Sequence, residues 1–502
     1  MVDQREVERK YDVGPDAVVP DLPGAVEPVE HDLVATYYDT PDLRLQAAGI
    51  TLRRRTGGVD EGWHLKLPGK DDARVEVHAP IGSETVPPPL LDRVRAHLRD
   101  VEVVPVARLS TRRSVRRVVE DGVVVAELCD DRVRAEALPV VAGEGLTTDA
   151  WREWELELVE GGRGVFDALD PVLRSAGASP ATRASKVARI LADRLPDDGW
   201  RRHSAIGATT VGEVCLGYLA AQLDRLLEQD RELRSGRLDE PVHQIRVAAR
   251  RLRSALATFR PLVTKDAAGT ADSLREELRW LGSSLGDARD LTVLRGRLDA
   301  LLRDDDPTTV ATRRHVDAVL TDEHRVALAD AARVLDDVRY LRLLDGLEEF
   351  LTAAPFRSRA ERPARRALTS MLRAEVKRFR RRARRVEQAA DEPSQDRALH
   401  DVRKAAKRLR YAAEAATPVL GAGAEELAAR AEAVQEVLGE HQDTVVSRAA
   451  LDDLAHHREA TGPVGLGLGR LQQLEAERAA ELRAGSADVI AEAASRPGWL
   501  RK

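Results

Sequence analysis

The 502-residue sequence predicts an α+β protein: an antiparallel sheet over roughly the first 160 residues, then an all-helical part with an internal repeat. Three observations predict it. Short front segments alternate apolar and charged residues with period two. A breaker cluster, Leu195-Pro196-Asp197-Asp198-Gly199, separates them from the rest of the chain. Beyond it Ala, Leu, Arg and Glu recur at helical spacing, and one amphipathic segment occurs twice. The length exceeds what one ordinary core supports. The predicted division is residues 1–195, a linker at 196–208, and a helical domain at 209–490.

Taken in order, Glu6, Glu8 and Lys10 alternate with Val7, Arg9 and Tyr11, so the first three share a strand face. Thr51-Leu52-Arg53-Arg54-Arg55 places Thr51, Arg53 and Arg55 together. Trp63 to Pro68 and Arg74 to Val77 are short strands, and Val123 to Leu128 runs into Asp130-Asp131. Trp151 to Leu158 puts Glu153, Glu155 and Glu157 on one face. A solvated sheet face explains alternating charge by itself. Two features argue for more. The strands segregate by sign, carboxylates on the first and last and cations between. Their opposite faces carry Val7, Leu52, Trp154 and Leu156, so an apolar core is available outside a closed sheet. Charges lining its inside are costly unless they meet metal ions and an anion.

Five ordered motifs in this region resemble the CYTH domain of the triphosphate tunnel metalloenzymes, over roughly residues 1–195. They are Glu6-x-Glu8-x-Lys10, Tyr37-Tyr38-Asp39-Thr40-Pro41, Leu52-Arg53-x-Arg55, Trp63-x-Leu65-Lys66-x-Pro68 and Glu155-x-Glu157. The resemblance implies an eight-stranded antiparallel β-barrel with triphosphate held inside. It implies Mg²⁺ or Mn²⁺ on Glu6, Glu8, Asp130, Glu155 and Glu157, with Glu153 a further candidate. It implies catalytic roles for Lys10, Arg53 and Arg55, and phosphate contacts from Lys66, Arg74, Arg113 and Lys186. Carboxylate oxygens suit hard dications, and guanidinium groups pair with phosphate in a bidentate way.

In the helical part, Val242-His243-Gln244-Ile245-Arg246-Val247-Ala248-Ala249-Arg250-Arg251-Leu252-Arg253 returns as Leu399-His400-Asp401-Val402-Arg403-Lys404-Ala405-Ala406-Lys407-Arg408-Leu409-Arg410, identical at seven of twelve positions. At about 100° per residue, His243, Arg246, Arg250 and Arg253 share one face, as do His400, Arg403, Lys407 and Arg410. The opposite faces are Ile245, Ala248, Ala249 and Leu252, and Val402, Ala405, Ala406 and Leu409. Each copy buries an apolar stripe and displays a row of cations. The repeat extends to Leu285-Gly286-Asp287-Ala288-Arg289-Asp290 and Leu438-Gly439-Glu440-His441-Gln442-Asp443. These paired motifs resemble the CHAD domain, over roughly residues 205–490, which implies binding of inorganic polyphosphate on the cationic rows. Neither His243 nor His400 has a His or carboxylate at i+4, so anion binding or capping outweighs metal ligation.

Residues 1–200 carry 37 acidic and 27 basic groups (−10); the rest carry 48 and 52 (+4). The segment Arg357–Arg385 adds thirteen basic residues against Glu361 and Glu375. A solvated helix accounts for such a run, because Arg is a good helix former. Nucleic acid is disfavoured: aromatics are 3% of the chain, are not interleaved with the cations, and form no recognition signature. Cys129 and Cys215 are too few and too far apart for a disulfide framework or metal knuckle. The absence of a signal-like or membrane-spanning apolar run predicts a cytoplasmic protein; polyphosphate binding adds association with polyphosphate granules. The function read from the sequence is metal-dependent hydrolysis of inorganic triphosphate beside a polyphosphate-binding module. The alternatives are a non-catalytic polyphosphate-targeting protein, or an enzyme acting on thiamine triphosphate or a nucleoside triphosphate.

Overall fold

The computed structural model describes residues 2–22, 24–69, 73–82, 84–140, 145–195, 199–495 and 497–500. Most of the breaker cluster, residues 196–198, lies outside them. The chain divides into two compact units, Met1–Asp198 and Gly199–Lys502.

The first unit is one curled antiparallel sheet. Its strands are β1 (Val2–Glu6), β2 (Glu8–Val13), β3 (Val29–Asp39), β4 (Thr51–Thr56), β5 (Gly62–Pro68), β6 (Arg74–Ala79), β7 (Val104–Glu120), β8 (Val123–Ala137), β9 (Thr147–Leu158) and β10 (Ser179–Pro180). They are ordered β1-β6-β5-β4-β3-β7-β8-β9-β2-β10. Ten described strands replace the eight expected, for two reasons. The N-terminal strand is broken at Val7, β1 pairing with β6 and β2 with β9, and two-residue β10 adds to the edge of β2. β1 and β2 are one residue apart in sequence, yet β1 stands at one end of the strand order and β2 next to the other. The break preserves parity, so Glu6, Glu8 and Lys10 still face the inside of the curl.

Five short helices accompany the sheet: α1 (Arg44–Ala47), α2 (Pro88–Arg93), α3 (Arg95–Leu98), α4 (Gly164–Ser175) and α5 (Lys186–Ile190). The apolar core lies on the sheet's outer face, as the alternation predicts. Tyr11, Leu128, Trp154 and Leu156 pack with Phe166, Leu169 and Leu173 of α4. Leu52, Trp63, Leu65 and Val77 pack with Leu90 of α2, Leu98 of α3 and Val94 between them. Each such large apolar side chain contributes roughly 1.5–3 kcal/mol by leaving water. With the core outside, the inside is left for charge.

The second unit contains α6 (Val211–Arg234), α7 (Asp239–Thr258), α8 (Ala268–Ser284), α9 (Gly286–Leu301), α10 (Pro307–Asp336), α11 (Val338–Ala353), α12 (Ala364–Glu387), α13 (Glu392–Leu420), α14 (Ala422–Ala455) and α15 (Pro463–Ala494). Local chemistry sets several starts. Thr210 and Glu213 form a capping box on α6, and Asp306 caps α10 ahead of Pro307. Gly421, at φ 65°, ends α13. Residues 199–202 form a short 3₁₀ turn whose Trp200 is buried, and His203 hydrogen-bonds the carbonyl of Leu351, so this stretch of the expected linker is ordered within the second unit.

The repeated segments are α7 and the middle of α13, and their apolar stripes are buried: Ile245, Ala249, Leu252, Val402, Ala406 and Leu409 are all 0% exposed. The second motif differs between copies. Leu285 separates α8 from α9, whereas Leu438-Gly439 sits inside the continuous α14. No helix among the described residues is long and apolar enough to cross a membrane.

Candidate functional site

Side chains facing the inside of the curl enclose a cavity of about 120 Å³. Its lining brings together Glu6, Glu8, Lys10, Arg53, Arg55, Lys66, Arg74, Arg113, Glu155, Glu157 and Lys186, drawn from β1, β2, β4, β5, β6, β7, β9 and α5. Strand register explains the convergence. Lys10 stands opposite Glu155 and Glu8 opposite Glu157 across β2 and β9, while Arg74 stands opposite Glu6 across β6 and β1.

The cations are held by carboxylates. Lys10 pairs with Glu8 at 3.1 Å and with Glu155. Lys66 lies 2.5 Å from Glu6, and Arg53 lies 3.6 Å from Glu76. Arg113 forms a fork onto Asp131 at 2.8 and 2.6 Å and reaches Glu155 at 2.5 Å. Lys186, at the start of α5, lies 2.9, 2.8 and 2.7 Å from Asp131, Glu153 and Glu155. Burial opposes the charge of Glu155, yet Lys10, Lys186 and Arg113 together hold its carboxyl well below the usual carboxylate range. Burial would likewise discharge Lys186, but Asp131, Glu155 and Glu153 hold its pKa well above the usual ammonium value. The Arg74 guanidinium donates to the carbonyl of Ala184 at 3.2 Å.

Asp130 does not join them. It faces the other way, accepting both Nε and NH2 of Arg152 at 2.7 Å and the indole N–H of Trp154 at 3.2 Å. Its neighbour Asp131, fully buried, points inward instead. In a strand two adjacent acids face opposite sides, and register decides which is inside.

The inside of the curl also gathers residues that sequence reading did not select. Glu76 accepts from His64 Nδ1 at 2.9 Å and approaches Lys66 and Arg53. Burial opposes its charge, but His64, Lys66 and Arg53 hold its carboxyl far below the usual range. Its place two residues after Arg74 was a usable signal. Tyr37 lines the cavity; burial opposes its ionisation, while Arg53 lowers its phenol pKa. Asp60, in the turn after β4, pairs with Arg55. Nothing in the local sequence pattern marks it.

Two sets of carboxylates bear on metal binding. Asp131, Glu153 and Glu155 place oxygens within 4.8 Å of one another. The Lys186 ammonium lies within ion-pair distance of all three, so this trio suits a cation and already holds a protein one. Glu6, Glu8, Glu155 and Glu157 fit a dication better, because Glu157 has no ion-pair partner among the described residues. Burial, with Glu6 and then Glu8 nearby, pushes its carboxyl up to about 7. An enclosed oxygen donor set of this kind, with Glu157 left unpaired among the described residues, matches a hard divalent ion.

In the second unit, half-buried cations of α7 and α13 gather. Arg246 donates to the carbonyl of Leu285 at 2.8 Å and approaches Asp290 at 3.6 Å. A Cβ on Gly286 would lie 3.3 Å from Arg246, and one on Gly439 would lie 3.8 Å from Arg403. The arginine of each basic helix therefore lies beside the glycine of its own repeat's second motif. Arg250 donates to the Tyr411 hydroxyl at 2.8 Å. Burial, then Arg403, Arg250 and Arg246, push Lys407 down to about 7. Burial, then Arg289, lower His243, and burial, then Arg250, lower Arg253. Arg410 is already neutralised by Glu414 at 2.7 Å and Glu432 at 2.8 Å. His400 is exposed. Cys129 and Cys215 are free and buried.

Both units have counterparts among known proteins. The CYTH domain matches residues 4–179 and the CHAD domain residues 217–452. An uncharacterized protein of Mycobacterium tuberculosis (strain ATCC 25618 / H37Rv) is 37% identical over 517 residues, covering 95% of this chain and 94% of its own. Human thiamine-triphosphatase is 46% identical over 66 residues, 13% of this chain and 27% of that protein. The solved CHAD domain from the plant Ricinus communis is 24% identical, with a TM-score of 0.45 over 57% of this chain and 94% of that one.

Proposed function

The chain belongs to the family of proteins that join a CYTH domain to a CHAD domain, and on that premise we propose that its front unit hydrolyses inorganic triphosphate with Mg²⁺ or Mn²⁺. The observation that carries this reading is one small cavity with carboxylates Glu6, Glu8, Glu155 and Glu157 facing Lys10, Arg53, Arg55, Lys66 and Arg113. A short, highly charged linear anion is the ligand such a lining favours. A bound divalent cation supplies charge neutralisation at phosphoryl oxygens and an activated water. The arginines and lysines hold the remaining oxygens and stabilise charge as the anhydride P–O bond breaks, releasing pyrophosphate and orthophosphate. Enclosure within the curl limits competing solvent.

The helical unit, in this reading, binds inorganic polyphosphate without chemistry of its own. Arg246, Arg250, Arg403 and Lys407 supply the cationic surface, and association with polyphosphate granules follows from it. A substrate panel tests the proposal: inorganic triphosphate, thiamine triphosphate and ATP, each with Mg²⁺ and Mn²⁺, with phosphate and cyclic nucleotide both measured. Inorganic triphosphate is expected to be turned over with the highest kcat/KM. The local identity with human thiamine-triphosphatase supports a second reading, which faster turnover of thiamine triphosphate would establish.

A further inference from the structure

The turn between β4 and β5, residues 57–61, reaches back into the cavity. Gly57 and Gly58 both have positive φ, +80° and +88°, letting the chain reverse tightly. Three contacts set its shape: the Gly57 N–H donates to Glu61 Oε1 at 2.6 Å, the Asp60 carbonyl is 2.9 Å from His64 Nε2, and the Asp60 carboxylate pairs with Arg55. Asp60 is thus a turn residue that lines the cavity.

The Arg55–Asp60 pair is incomplete. Only a terminal nitrogen of the guanidinium is engaged, and the buried Arg55 Nε has no hydrogen-bond partner among the described residues. A guanidinium this enclosed ordinarily takes a fork of two oxygens, as Arg113 does on Asp131. Arg55 sits beside Arg53 and Arg113; burial first, and then those two like charges, push it down to about 9. The Arg55 side chain is 9% exposed, whereas that of Asp60 is 50% exposed. A half-solvated carboxylate on an exposed turn can be replaced at modest cost, whereas an arginine left bare inside the curl is costly.

Resting on the triphosphate reading of this cavity, we propose that Asp60 is a built-in competitor for Arg55, holding its guanidinium in the free protein and yielding it to a phosphoryl group of a linear oligophosphate. The same carboxylate returns as products depart. Asp60 therefore lowers the affinity of the cavity for every phosphate chain that reaches Arg55, pyrophosphate product included. Without it a cationic pocket this enclosed would retain its product.

The test is metal-free calorimetry in EDTA, where turnover plays no part, on the full chain with sodium triphosphate and sodium pyrophosphate as probes. Asp60→Asn is expected to tighten binding of triphosphate roughly tenfold and to tighten binding of pyrophosphate as well, while Asp60→Glu stays close to the parent. Equal or weaker triphosphate binding by Asp60→Asn, with the parent binding normally and thermal melts superimposed, would overturn the proposal alone. No binding by either protein would overturn it too, while absence of triphosphate turnover by the parent with Mg²⁺ or Mn²⁺ would overturn the reading of the cavity.

Discussion

Lys186 places its ammonium 2.7 Å from the Glu155 carboxylate, joining the first turn of α5 to the acidic strand β9. With Asp131 and Glu153 around the same nitrogen, one lysine pairs with three buried acids. Removing it leaves Glu153 without an ion-pair partner among the described residues, and Asp131 and Glu155 with Arg113 and Lys10 alone. Lys186→Met is expected to cost about 3–5 kcal/mol, read as a lower denaturation midpoint followed by tryptophan fluorescence. A melting curve like the parent's would show that water replaces the ammonium freely.

Glu8 and Glu157 face one another across β2 and β9. If they hold a divalent ion, Glu8→Gln and Glu157→Gln should each weaken Mn²⁺ binding by at least the roughly 10–100-fold that losing an outer-shell partner costs. Electron paramagnetic resonance of free Mn²⁺ measures it directly, apart from activity. Triphosphate hydrolysis by Glu8→Gln should be lost while circular dichroism is unchanged. Parental Mn²⁺ affinity in both variants would exclude this wall as the metal site.

The cations of the two basic helices are neutralised to different degrees. Arg250 meets the neutral Tyr411 hydroxyl, whereas Glu414 and Glu432 neutralise Arg410. Charge reversal at Arg250, Arg403 and Lys407 together should abolish polyphosphate binding; Arg410→Glu alone should reduce it far less. Fluorescence anisotropy with labelled polyphosphate distinguishes these, and affinity should fall steeply with salt through counterion release. A loss for Arg410→Glu as large as for the triple variant would show that its acid partners swing away.

If the helical unit binds polyphosphate, Lys407 should link that binding to protons. Burial and its arginine neighbours push it down to about 7, so much of the amine is neutral above that pH. A bound polyanion favours the ammonium and raises the pKa. Polyphosphate affinity should therefore be highest below about pH 7 and fall as pH rises through and beyond it. In calorimetry at about pH 8, buffers of different ionisation enthalpy should report net proton uptake that Lys407→Arg removes. For the free protein the sign is opposite to that of a stabilised cation: the unfolded chain holds the proton between about 7 and 10.5, so this group makes folding less favourable as pH falls through that window. Uptake that survives Lys407→Arg would assign the proton elsewhere.

Period and parity made much of the molecule legible from residues alone. Alternation told which side of each strand carries charge, because successive side chains point to opposite faces whatever the strand pairs with. Glu6, Glu8 and Lys10, Arg53 and Arg55, and Glu155 and Glu157 could thus each be set on one strand face, and the family resemblance joined them with Lys66 before their strands were placed. Helical period likewise separated the buried stripe of Ile245, Ala249 and Leu252 from the cations beside it. Tertiary structure decided what local period cannot reach. Register turned Asp131 inward and Asp130 onto Arg152, since two adjacent acids obey the alternation equally well in either setting. Chain reversal brought Asp60 to Arg55, and helix packing brought Glu432 to Arg410, neutralising a cation that looked available in the row. Pairing across long sequence separation sets the charge each group meets, and that charge is a property of the folded surroundings rather than of any strand or helix alone.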